Sequence, residues 1–247
     1  MKEVQPQIYI VGETVPDRGV LNEYLLNVGI IHWQLPYGIG GMPLLVEFMG
    51  RLCYQSFGVE LNPNITRVRS DSAAYIANLI ESEHGSVFEH ASINFIFRNV
   101  SRVFTHELVR HRVGTAISQE SQRYVRLEEI PVWIPALKLP SSVEQELRAD
   151  LEEIIQRMEA HQAKWSRRLN LDTSKDFDYK KRWTSTLRRF FTPSGVATSI
   201  GWTCNVRELR HVIKMRTSPG AEEEMQLVFG QVRVLMQERW PLLFGDL

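Results

Sequence analysis

The segment Arg110-His111-Arg112-Val113-Gly114-Thr115-Ala116-Ile117-Ser118-Gln119-Glu120-Ser121-Gln122-Arg123-Tyr124 concentrates guanidinium, imidazole, hydroxyl and amide groups. Arginine presents a planar fork of donors that matches phosphate oxygens two at a time. Arginines interleaved with serines and amides therefore point to a site for a phosphorylated small molecule, against the plainer reading of a solvated charged face. Arg110 and Arg112 would point about 200° apart on a helix. They can work together only if the helix ends there, or if each serves a different ligand. The neighbouring His106-Glu107-Leu108-Val109-Arg110-His111 imitates a zinc-hydrolase helix. That chemistry needs histidines four apart on one face; here they are about 140° out of line, and no metal is expected.

Two further clusters flank this stretch. Upstream lies His84-Gly85-Ser86-Val87-Phe88-Glu89-His90; downstream lie Asn205-Val206-Arg207, His211 and Arg216, preceded by Arg189 and Pro193. In this order the three groups resemble the flavin-dependent thymidylate synthases. That family carries Arg-His-Arg, seven residues, then Ser-x-Arg-Tyr; a His-x-Ser/Thr-x-x-Glu-His element; and Asn-x-Arg followed by Asn or His and then Arg. The chain keeps both spacings after Asn205. It departs in one place, with eight residues between Arg112 and Ser121.

The resemblance implies conversion of dUMP to dTMP, with methylenetetrahydrofolate as carbon donor and FAD, reduced by NADPH, as hydride source. It implies that Arg216 holds the uracil edge, with Arg216 and Ser121 as the catalytic residues. Substrate contacts would come from Glu107, Arg110, Gln119, Glu120, Ser121, Gln122, Arg123 and Arg189, with Arg123, Ser121 and Arg189 on phosphate and sugar. Glu107 stands where the family often has Gln. FAD would be bound by Ser86, Arg110, His111, Arg112, Gln119, Asn205, Arg207 and His211, with Cys53, His84 and Glu89 beside it. A homotetramer with active sites between subunits is also implied. The alternative is a non-catalytic nucleotide- or RNA-binding module using the same arginines, but residues 101–126 supply only Phe104 and Tyr124 as stacking platforms.

Composition narrows the field. The chain has 247 residues, 43% of them hydrophobic, and its 29 basic and 29 acidic side chains balance. Duplex nucleic-acid binding runs on excess positive charge, so no nucleic acid is expected as a partner. No apolar run approaches the roughly 20 residues of a membrane helix, and no signal core follows the N-terminus. Cys53 and Cys204 form no Cys-x-x-Cys pair and sit among apolar neighbours. They are expected to be buried and reduced, in a soluble cytoplasmic protein.

The elements that must hold the three clusters follow from periodicity. Gln7–Val11, Ser92–Phe97 and Gly195–Cys204 read as strands, and Ile117–Leu127 as extended chain. Helices are expected from Pro43, over 72–83, over 101–112, from a Ser141/Glu144 capping box to about residue 169, over 175–189, from Asn205 with Glu208 as its polar cap, and after a Ser218 cap with Pro219 at the first position. Gly38-Ile39-Gly40-Gly41 is a turn, because Pro43 stands where a dinucleotide fingerprint needs glycine. The expectation is an α+β fold, one domain over 1–247, with a largely antiparallel sheet flanked by long helices.

Overall fold

Strict alternation makes the central strand. In Ser92–Ser101, Ile93, Phe95 and Phe97 are buried while Ile96 and Arg98 face outward, the period of two that a half-buried strand requires. The computed structural model describes residues 1–31, 33–59 and 62–247. In chain order its elements are β1 (Lys2–Glu3), β2 (Gln7–Glu13), α1 (Arg18–Asn27), α2 (Gly41–Tyr54), α3 (Ser72–Glu81), a 3-10 turn (Gly85–His90), β3 (Ser92–Ser101), α4 (Arg102–Leu108), β4 (Thr115–Gln119), β5 (Pro131–Val132), α5 (Ser141–Arg168), α6 (Phe177–Phe190), β6 (Ala197–Asn205), α7 (Val206–Arg216), α8 (Glu223–Arg239) and α9 (Pro241–Phe244). The main sheet has the order β2-β3-β6-β4 with every neighbouring pair antiparallel. A separate two-residue parallel pair joins β1 to β5. The α+β expectation holds.

One face of the sheet is packed with aromatic rings. Phe97 and Trp202 each lie 6.0 Å, centroid to centroid, from Phe229 of α8, and Phe104 of α4 lies 5.5 Å from Phe97. Burying one such side chain contributes about 1.5–3 kcal/mol, so this cluster fixes where α4 and α8 seat. Between Arg98 and Val100 the β3–β6 register shifts, and Asn99 takes φ 59°. This is a bulge, in a conformation asparagine tolerates. Beyond it the Ser101 backbone N–H donates to Glu224 Oε1 at 2.7 Å and the Ser101 hydroxyl to Glu224 Oε2, while Ser101 Oγ caps α4 at Phe104 N–H, 3.0 Å. Burial raises the Glu224 pKa. The β3–α4 corner, which launches the arginine segment, is thus fixed from both sides.

On α2, the Arg51 fork donates to Glu47 Oε1 from Nε (2.9 Å) and Nη2 (2.7 Å) and to the carbonyls of Ser56 and Arg69. Its guanidinium lies 4.2 Å from the Tyr75 ring centroid, which ties α2 to the chain leading into α3. Helix α5 runs 28 residues yet buries only Ile155 and Gln162, so most of its surface lies outside the core. Among the described residues no helix is long and apolar enough to cross a membrane.

Several boundaries differ from expectation. The Ser141/Glu144 capping box does not form: Pro140 is the N-cap, and Glu144 instead accepts from Arg148 Nε at 2.9 Å. Ser218 does not cap α8. Glu222 does, accepting from Met225 N–H at 3.0 Å, and Ser218 donates to the Met215 carbonyl at 2.7 Å. Helix α2 starts at Gly41 rather than Pro43. The strand in the arginine segment covers Thr115–Gln119 and stops before Ser121. Cys204 is buried, but Cys53 is exposed, because the outer side of α2 carries it.

Candidate active site

Helix α4 ends at Leu108, which releases Arg110–Gly114 from helical geometry and removes the conflict of direction between Arg110 and Arg112. The turn is locked to the start of α7. Gly114 adopts φ +63°, its carbonyl accepts from Asn205 N–H at 3.0 Å, and a Cβ there would lie 2.0 Å from Asn205 Nδ2. Only glycine fits. Asn205 in turn caps α7, its Oδ1 accepting from Glu208 N–H at 2.8 Å. β4 then pairs with β6 without a register break from Thr115 to Gln119.

This junction assembles a chain of polar contacts. Arg216, at the end of α7, donates from Nε to His111 Nε2 at 2.8 Å and from Nη1 to Glu107 Oε2 at 2.9 Å. On the other side of the ring, His111 Nδ1 lies 3.5 Å from Glu208 Oε1. Because Nε2 accepts, the ring hydrogen sits on Nδ1, on the side of the ring that faces the Glu208 carboxylate at 3.5 Å, a charge contact rather than a hydrogen bond. Burial first, then Arg216 and His211, lower the His111 pKa to about 4, so the imidazole is neutral near pH 7. Burial raises the Glu208 pKa. The arrangement holds one guanidinium by a neutral imidazole and a carboxylate, at the mouth of the arginine turn.

A second group of side chains lines a cavity of about 580 Å³, formed by Gln119, Glu120, Ser121, Gln122 and Arg123 with Arg189 and neighbouring residues from the end of α6. Here Gln119 Nε2 also donates to Thr105 Oγ1 at 2.9 Å, and Ser121 Oγ accepts from Arg123 N–H at 3.1 Å. Arg102 and Arg188, not anticipated from sequence, line it too.

A third group lies along the 3-10 turn. Arg207 Nη1 donates to Glu89 Oε1 at 2.5 Å. Gly85 lets the arginine stem pass: a Cβ there would meet Arg207 Nε at 2.8 Å. Ser86 Oγ lies 3.5 Å from His84 Nε2, and His84 Nδ1 is buried with no hydrogen-bond partner among the described residues. The adjoining cavity, about 440 Å³, is lined by Gly85, Arg207, Arg210, His211 and Lys214 among others.

The structure therefore gathers Glu107, His111 and Arg216; Gln119 to Arg123 with Arg189; and His84, Ser86, Glu89, Arg207 and His211. It does not bring all of them to one cavity. Arg110 and Arg112 are exposed and line neither of the two cavities, and Cys53, exposed on α2, lines neither. Glu208 was legible only as a cap residue. Its side chain goes to His111 instead of back to the Asn205 backbone, which Gly114 already occupies.

An antiparallel sheet whose last strand runs directly into a helix bearing Asn205, Arg207, His211 and Arg216 defines an α+β protein with an arginine-lined site suited to an anionic ligand. Comparison with known proteins is more specific. The family model described as thymidylate synthase complementing protein matches residues 40–242, and the chain belongs to that family, that of the flavin-dependent thymidylate synthases. A protein of that name from Mycobacterium tuberculosis is 36% identical over 212 residues, covering 83% of this chain and 80% of its own. The one from Corynebacterium aurimucosum is 30% identical over 224 residues, covering 87% and 84%. Thymidylate Synthase X from Helicobacter pylori, solved with FAD and dUMP, superposes with TM-score 0.55 at 19% identity over 98% of each chain. A UMP/dUMP methylase, PolB from Streptomyces cacaoi, solved with 5-Br dUMP, gives 0.65 at 16% identity, over 99% of this chain and 96% of its own. At such identities these two structures support the fold.

Proposed function

We propose that this chain is a single-domain, cytoplasmic flavin-dependent thymidylate synthase. In this reading it converts dUMP to dTMP with methylenetetrahydrofolate as carbon donor and FAD, regenerated by NADPH, as hydride source. The observation that carries the reading is the convergence of Arg189 with Ser121 and Arg123 in one polar cavity, although they lie far apart in sequence. A phosphate monoester needs several charge-assisted donors from different directions, and this cavity offers them.

The phosphate and sugar of dUMP then lie against Arg123, Ser121 and Arg189, with Gln119, Glu120 and Gln122 around them. Arg216 addresses the uracil edge. A guanidinium beside an ionisable imide favours the anion and raises electron density at the reacting carbon. His111 and Glu107 hold that guanidinium in place, and neutral His111 adds no competing charge. Folding of the Arg110–Gly114 turn against Asn205 presents Arg110 and Arg112 outward.

The groove beside the 3-10 turn fits a dinucleotide. It has cationic side chains in Arg207, Arg210 and Lys214, the first two held by Glu89 and Asp246, and beside it, at the start of the 3-10 turn, His84 Nδ1 has no hydrogen-bond partner among the described residues. FAD would be held by Ser86, Asn205, Arg207 and His211, with Arg110, His111, Arg112 and Gln119 from the arginine segment and Cys53, His84 and Glu89 at the margin. When bound, it supplies the hydride chemistry that the amino acids cannot. The outward Arg110 and Arg112 support a homotetramer whose sites are completed between subunits.

The test is an absorption spectrum of the purified protein, repeated with dUMP. Flavin bands that shift on adding dUMP are expected. A colourless protein that also fails to take up added FAD contradicts the reading and favours a non-catalytic nucleotide-binding role.

A further inference from the structure

Arg188 is among the most buried charged side chains of the described residues, 4% exposed. Its Nε and Nη1 have no hydrogen-bond partner among those residues. A buried guanidinium without an anion is costly, and buried charges are ordinarily paired. Burial lowers its pKa, with Glu120 opposing and Arg102 adding to that effect; arginine nonetheless stays charged at neutral pH. The side chain lines the same cavity of about 580 Å³ as Arg102, Arg123 and Arg189, and its other side borders a cavity of about 630 Å³ beside α5.

The balance of charge in that cavity is lopsided. Four guanidinium groups face one carboxylate, Glu120, so the formal excess is three positive charges, 4 − 1. Arg188 and Arg189 are consecutive on α6, about 100° apart around its axis. Arg189 is exposed at the rim while Arg188 is covered, so the two reach the cavity at different depths. A singly charged ligand would leave the buried fork unsatisfied. A dianion with three terminal oxygens can accept from the rim and from below at once.

We propose that Arg188 is a specificity-determining residue of the nucleotide seat. It supplies, from beneath, the donors that make the cavity select a phosphate monoester dianion over an uncharged nucleoside. The proposal rests on reading this cavity as the dUMP seat.

The experiment compares wild-type holoprotein with Arg188→Met, which keeps an apolar stem and removes the charge. Each is titrated calorimetrically with dUMP, deoxyuridine and inorganic phosphate, and the melting temperature is recorded with and without dUMP. Hydrogen bonds to charged groups contribute about 1.5–3 kcal/mol, so dUMP and phosphate should bind about 10- to 100-fold more weakly to the variant. Deoxyuridine binding and flavin content should not change. The ligand-free variant should melt at or above the wild-type temperature, because an uncompensated buried charge has gone, and dUMP should raise its melting temperature less. A merely structural arginine would instead lower the ligand-free melting temperature and leave the dUMP affinity intact; that result overturns the proposal. If Arg188→Met does not fold, Arg188→Lys decides: it loses the fork, so dUMP should weaken severalfold, and unchanged affinity overturns the proposal. If wild-type protein binds flavin but not dUMP, it is the reading of the cavity that has failed.

Discussion

Replacing Arg216 by Ala removes three hydrogen bonds, to His111 Nε2, to Glu107 Oε2 and, the longest at 3.5 Å, to the Glu107 carbonyl, and their surroundings set the size of each effect. Glu107 is 40% exposed, so its ion pair with Arg216 is screened and contributes at most about 1 kcal/mol. The bond to His111 Nε2 at 2.8 Å matters more, because it leaves a buried acceptor unsatisfied at a cost of about 1–3 kcal/mol. A total near 2 kcal/mol lowers the melting temperature by about 4–8 °C in a chain of this size. The same change alters the His111 titration. Burial, the largest cause of its depression to about 4, stays; the repulsion from Arg216, the next cause, goes. The His111 pKa should therefore rise in the variant yet stay below 6.5. Because the folded value lies below the unfolded one, the unfolded chain binds more protons between pH 6.5 and 4. The contribution of His111 to stability is thus full above pH 6.5 and is lost as pH falls toward 4, amounting to about 3 kcal/mol. The raised carboxyls of Glu208 and Glu224 act in the opposite sense. Histidine NMR titrations of both proteins with scanning calorimetry make the test, alongside an assay in which the variant should form no dTMP yet keep its flavin. An unperturbed His111 in wild type, or an identical His111 titration in both proteins, refutes the reasoning.

Joint replacement of Ser86 and Arg112 by Ala should give colourless protein, checked by absorbance after purification; retained yellow colour removes them from the flavin site. Gly114→Ala should destabilise by more than about 2 kcal/mol in urea unfolding, since its φ of +63° and the 2.0 Å approach of Asn205 Nδ2 exclude a methyl group; wild-type stability would show that the turn is not locked as described. Glu208→Gln keeps a polar group beside His111 Nδ1, so a drop in dTMP formation of about tenfold or less is expected, with flavin content unchanged, whereas Glu208→Leu should lose more; equal rates in both would remove Glu208 from the orienting chain.

What could be read from sequence was local and periodic. The alternation of Ile93, Phe95 and Phe97 marks β3, and Asn205 marks the start of α7, because each signal lies within a few residues of its effect. Capping signals failed where a neighbour competed. Pro140 takes the N-cap position in place of Ser141, and Glu144 has Arg148 one turn away. Glu222, closer to the α8 start than Ser218, capped that helix. Cys53 is exposed although its sequence neighbours are apolar, because such neighbours say nothing about which side of a helix a residue occupies. The Arg216–His111–Glu208 contacts depend on β4 pairing with β6 and on α4 stopping at Leu108, and no spacing encodes them. Arg188 was hidden by its neighbour Arg189, since depth in a cavity is a property of the packed helix alone.

The most direct measurement is product formation. Purified protein with FAD, NADPH, methylenetetrahydrofolate and dUMP should yield dTMP, and omission of either dUMP or the folate should abolish it. A protein that carries flavin and binds dUMP, yet forms no dTMP in the complete mixture, would contradict the account.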